Sequence, residues 1–135
     1  KRRMTALTII GLVLAGMAAT LHVAFFVLES VLFRLPFGRR VFGVRAEADS
    51  APLRLFAVNQ GVYNLAIAIV VFVGIVLAAA EPGSIAGPAV VVAGCAVMVV
   101  AGAALALTAP PRLLPAALAQ GIPPLLAIVT IVVGR

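Results

Sequence analysis

The 135-residue chain lacks tryptophan, has one tyrosine, one histidine and one cysteine, and carries only four acidic residues. Each scarcity excludes something. Cys95 has no second cysteine to pair with and no CxxC partner, so it can form neither an intrachain disulfide nor a thiolate metal site. A lone histidine, separated from the few carboxylates, leaves no recognisable cluster for zinc or for a haem-ligand pair. No phosphate-binding loop or nucleophile motif is present either. No metal and no cofactor are therefore expected.

Charge is the greatest scarcity. Charged residues make up 10% of the chain and apolar ones 64%, and the mean hydropathy is +1.27. Soluble domains lie nearer half apolar and a quarter charged. The intervals 4–33 (broken once, by Glu29), 55–80, 82–111 and 113–134 are free of charge and each at least 22 residues long. About 20 residues cross a hydrocarbon core of about 30 Å. This predicts an all-α membrane protein, an up-down bundle of four transmembrane helices in one domain over 1–135, with helices at about 5–33, 53–80, 85–108 and 113–133 and a connector at 34–52. The net charge of +6 reflects arginines and a lysine at the span ends, where they meet headgroups, and does not call for nucleic acid.

Lys1-Arg2-Arg3 ahead of an apolar run resembles a signal-peptide start, but the run continues to Phe33 and reads as a retained helix. Four spans put both termini on one side of the cell membrane. The connector and the 109–112 turn then share the other side, with Arg34, Arg39, Arg40, Arg45, Arg54 and Arg112. That excess favours a cytoplasmic connector, whereas the basic triplet at the start argues the opposite.

Polar side chains inside spans are costly in lipid and usually face the bundle interior. Here they are His22 and Glu29 on the first helix, Asn59, Gln60, Tyr63 and Asn64 on the second, and Gln120 on the fourth. All lie in the connector-side half. At 1.5 Å per residue from the nearest arginine, Glu29 and Asn59 are roughly 7–8 Å deep, Gln120 about 12 Å, Asn64 about 15 Å and His22 about 18 Å. His22 and Glu29, seven residues apart, fall about 20° apart on one helix face, with Phe26 between them along the axis. Positions 59, 60, 63 and 64 fall within an arc of about 140°. Pro123 and Pro124 have no amide hydrogen, so the carbonyls of Ala119 and Gln120 lose their helical donors beside the Gln120 side chain.

Each group alone has an ordinary explanation. His22 would make an interhelical hydrogen bond, Glu29 would snorkel or pair with Arg34 or Arg54, and the amides would glue helices at about 0.6 kcal/mol each. Taken together they predict a polar pocket in one leaflet, lined by His22, Phe26, Glu29, Asn59, Gln60, Tyr63, Asn64 and Gln120. Membrane lipids are the expected partners, with a small amphipathic molecule as the expected ligand; beside the arginine-rich connector, an anionic or zwitterionic one fits. Three other readings stand beside this one. Glu29 and His22 would serve as the acid and base of an intramembrane enzyme of isomerase type, flanking a substrate from about 10 Å apart along the axis. Proton-coupled export through a first-helix carboxylate is the next, although Glu29 is shallow for that role. The last is a homo-oligomer or an accessory subunit of a larger membrane complex.

The stretches Leu21 to Glu29, Arg34 to Val44 and Ala57 to Asn64 resemble the bacterial family catalogued as domain of unknown function 1304. Its pattern is a His, six residues and a Glu, then a Pro-x-Gly-x-x-x-Phe-Gly connector, then Asn-Gln-Gly-x-Tyr-Asn. All three occur here in order, and Gln120-Gly121-x-Pro123 is similar to its fourth-helix motif. A departure is Ala24-Phe25-Phe26-Val27, where the family pattern favours aromatics including Tyr. The resemblance implies a four-helix membrane protein with no established activity.

Overall fold

The computed structural model describes residues 3–135, and Lys1 and Arg2 of the basic triplet lie outside the described residues. The described chain is helical throughout, without a strand. The long helices are α1 (Ala6–Phe26), α3 (Ala51–Ala80), α4 (Ala86–Thr108) and α5 (Leu114–Val133); α2 (Pro36–Val41) is a short helix in the connector. Four helical segments, Ala6–Val31, Ala51–Ala80, Ala86–Thr108 and Pro111–Val133, are long and apolar enough to cross a membrane.

Local chemistry sets the helix starts. The Thr5 hydroxyl accepts from the Thr8 amide at 3.2 Å and caps α1. Ser50 caps α3 in the same way, accepting from Leu53 N at 3.4 Å, with Pro52 in the first turn where no amide hydrogen is needed. Pro111 opens a 3₁₀ turn, Pro111–Leu113, that leads into α5.

The expected first helix to Phe33 does not stay α-helical. After Phe26 it widens into a π-helical turn, Val27–Val31, and the Leu32 amide donates to the Val27 carbonyl five residues back at 2.9 Å. No proline marks this place. Its cause lies across the interface: the Ser30 hydroxyl donates to the Val58 carbonyl of α3 at 3.1 Å, and Gly61 lies against Ser30 and the Phe26 carbonyl. A Cβ on residue 61 would collide with Ser30.

Each long helix packs on two others, α1 on α3 and α5, and α4 on α3 and α5, so the bundle closes as a ring. Gly87 lies against Ala78, Gly74 against Val91 and Gly94 against Val71, so α4 runs back along α3 in close contact. Small residues predominate inside: the core is Leu12, Ala15, Ala18, Ala19, Ala68, Val71, Ala78, Val91, Cys95, Met98, Ala127 and Ile131, whereas the large apolar Leu107, Ile85 and Val100 face outward. Lipid supplies no hydrophobic drive between helices, so small residues hold them by letting backbones approach and dispersion contacts accumulate.

The connector is tied down by one carboxylate. Asp49 accepts from Arg39 Nη1 at 3.0 Å and from Arg54 Nε and Nη2 at 2.8 and 3.1 Å. The hydrogen bonds from Arg54, with the charges of Arg54 and Arg39, hold the Asp49 carboxyl below the usual carboxylate range. Gly43 turns the chain with φ of 66° and lies directly against the Arg112 guanidinium, which pins the connector to the turn between α4 and α5.

Candidate functional site

A cavity of about 480 Å³ occupies the connector-side half of the bundle. Six of the eight residues expected in a pocket line it: His22, Glu29, Gln60, Tyr63, Asn64 and Gln120. They come from α1 with its π turn, from α3 and from α5. Alpha-helix α4 contributes Met98, Ala101, Leu105 and Thr108, and the connector contributes Phe42.

The other two expected residues lie elsewhere. Asn59 is exposed on α3 and does not line the cavity. On a helical wheel the lining positions 60, 63, 64 and 67 span about 100°, and position 59 falls about 40° beyond their edge. Phe26 is replaced by its neighbour Phe25. The π turn explains the exchange: a wider turn advances by less than 100° per residue, so Glu29 swings to the Phe25 side of the helix and away from Phe26.

The Glu29 carboxyl has its own partner. Asn64 Nδ2 donates to Glu29 Oε2 at 2.8 Å. Among the described residues the expected pairing of Glu29 with Arg34 or Arg54 does not form, and Asp49 is the acid that takes Arg54.

His22 is 2% exposed. Its Nδ1 lies 2.9 Å from the Ala18 carbonyl one turn earlier, an intrahelical bond in place of the interhelical one expected. A carbonyl only accepts, so Nδ1 carries the hydrogen, and in the neutral ring Nε2 holds the lone pair. Phe25 packs edge-on to the imidazole with ring centroids 5.8 Å apart, fixing its plane. The site therefore offers a carboxyl with one oxygen committed to Asn64, an imidazole with Nε2 unengaged, three side-chain amides and a phenol.

The remaining lining residues escaped the sequence reading, and three of them show why. Phe42 reaches the cavity from the connector and packs on Phe33 with centroids 6.1 Å apart; its signal was its place in the Pro-x-Gly-x-x-x-Phe-Gly stretch. Thr108 is polar but satisfies its hydroxyl on the Ala104 carbonyl at 2.8 Å, a bond invisible in sequence. Met98 sits at the deep end among apolar residues and carries no polar flag. Among the described residues no three His, Cys, Asp or Glu side chains gather to hold a metal ion.

Residues 16–132 match the family described as Protein of unknown function (DUF1304). The chain belongs to that family. The match takes in every residue that lines the cavity. No curated protein matches the chain, and no solved structure does.

Proposed function

We propose that this member of the DUF1304 family is a multi-pass protein of the cell membrane that binds, and through binding moves, a small amphipathic molecule or lipid in its connector-side cavity. In this reading the four apolar helices cross the bilayer up and down, with both chain ends on one side. Membrane lipids are its first partners. The supporting observation is that six polar side chains from three helices line one cavity of about 480 Å³, within the size range of small-molecule sites. Polar groups at that depth carry a cost in lipid that a bound polar head would offset.

The test is thermal unfolding of the purified protein in mild detergent with added short-chain phospholipids. Wild type should gain stability with lipid concentration, because a ligand that binds only the folded state shifts unfolding by mass action. The gain should shrink in His22→Ala and Gln120→Ala and persist in Asn59→Ala, whose side chain lies outside the cavity. A shift that is absent in wild type, or equal in all four proteins, contradicts the proposal.

A second reading has one observation in its favour: Glu29 and His22 line the same cavity, and the bond from Nδ1 to the Ala18 carbonyl leaves Nε2 as the nitrogen that would exchange a proton. That pairing suits proton transfer on a bound lipid, an isomerase-type reaction. Conversion of a membrane lipid extract by wild type but not by Glu29→Gln would favour it over simple binding.

A further inference from the structure

The cavity wall is uneven in a way that says how a ligand reaches it. Its exposed lining residues are Gln60 and Tyr63 on α3 and Val97, Ala101, Ala104 and Thr108 on α4; those from α1, α5 and the connector are buried or half-buried. The close contacts between α3 and α4, at Gly74, Gly87 and Gly94, all lie toward the opposite end of the pair. These contacts hold the pair together at one end, and the exposed wall of the cavity lies on the same two helices toward the other.

The chemistry at the back of the cavity is one-sided as well. Among the described residues Glu29 is the only acid in the lining, and no Lys or Arg lines it. Asn64 donates to one carboxyl oxygen, and His22 presents an acceptor nitrogen. The nearby arginines stay outside: Arg39 of the connector and Arg54 of α3 are held by Asp49, and Arg112 lies over Gly43 beside the lining residue Phe42.

Building on the proposal that the cavity takes an amphipathic ligand, we infer that this ligand is a lipid with a primary ammonium head, whose N–H groups donate where the methyls of a choline cannot, admitted sideways from the bilayer through a gap between α3 and α4. Its ammonium sits against Glu29 and the His22 nitrogen, and its acyl chains remain outside the gap past Tyr63 and Ala101. A phosphate on such a head lies on the connector side, toward Arg112. The volume is that of a head and a short length of chain, so the tails need the gap to stay open.

The chain contains its own reporter. Tyr63 is the sole tyrosine and there is no tryptophan, so intrinsic fluorescence reads the rim of the gap alone. The protein is reconstituted into phosphatidylcholine vesicles containing a minority of lipid brominated on its acyl chain, with an ethanolamine, choline or glycerol head. Bromine quenches tyrosine on contact. Brominated phosphatidylethanolamine should quench as though enriched about threefold around Tyr63 over the other two, a differential of about 0.6 kcal/mol, within the range of half-exposed ion pairs. Glu29→Gln, which keeps an oxygen for Asn64, should abolish the preference, and Ala101→Phe, which narrows the gap, should reduce it; circular dichroism establishes that both variants fold. Equal quenching by all three lipids overturns the inference, as does a preference for the glycerol head, or an unquenched Tyr63 because a second copy of the chain seals the gap. Should that happen while the His22-dependent thermal shift persists, the ammonium head and the sideways path are rejected but the binding cavity is not. Loss of both rejects the cavity reading itself.

Discussion

Asn64, four helical turns into α3, donates its side-chain Nδ2–H to Oε2 of Glu29 on the π turn of α1 across 2.8 Å. This single bond joins two helices where the cavity is widest in chemistry, and it holds the one acid of the lining at a fixed height. Ser30, the next residue, donates to the Val58 carbonyl, also on α3. The π turn is therefore tied to α3 on both sides of Gly61.

Removing the donor should cost what such bonds cost in membrane proteins. Asn64→Leu is expected to lower the unfolding free energy by about 0.6–1.7 kcal/mol. Asn64→Gln, which keeps an amide on a longer stem, should lose less. Reversible unfolding in mixed micelles measures both. A loss in Asn64→Leu too small to detect would mean that Glu29 finds another donor.

The connector should loosen in acid. Asp49 titrates below its usual value because its ionised form is hydrogen-bonded to Arg54 and paired with Arg39. A carboxyl with a depressed folded-state pKa contributes stability above its unfolded pKa, near 3.9, and loses it as pH falls through the lower folded value. Hydrogen exchange of amides 37–49, corrected for intrinsic rate, should be unchanged from pH 7 to 5 and accelerate below about pH 4. Asp49→Asn should show the fast connector at every pH. An acid response that survives in Asp49→Asn would assign the effect to another group.

Close approach of α3 and α4 makes a sharp contrast between two glycines. A Cβ at Gly87 would run into the backbone of Ala78, whereas one at Gly83 meets nothing within 4 Å. Gly87→Ala should therefore destabilise by about 1–3 kcal/mol, the usual range for overpacking. Gly83→Ala should be close to neutral. Similar melting temperatures for the two variants would contradict the packing described for this pair.

The four apolar stretches were legible because charge is so rare that its absence marks each span, and structure and sequence agree there on four long helices. The polar groups were legible for the same reason. What periodicity could not carry is local geometry: a constant 100° per residue leaves Phe25 and Phe26 about equally far from the line joining His22 and Glu29, and the π turn decides for Phe25. Competition between partners was equally hidden. Arg34 and Arg54 look like natural partners for Glu29 along the chain, yet Asp49 is the acid that captures Arg54, and that choice depends on how the connector folds back. The family match reinforces the architecture and leaves the chemistry to the cavity.

Convergence of these side chains on one cavity is most directly tested between helices that lie across the bundle from one another. Gln60 on α3 and Gln120 on α5 both line the cavity, while Asn59, one residue earlier, does not. In membranes, a flexible bifunctional maleimide should bridge Gln60→Cys to Gln120→Cys and fail with Asn59→Cys and Gln120→Cys; buried Cys95 stays silent in both. Bridging of both pairs to the same extent, or of neither, would contradict the account.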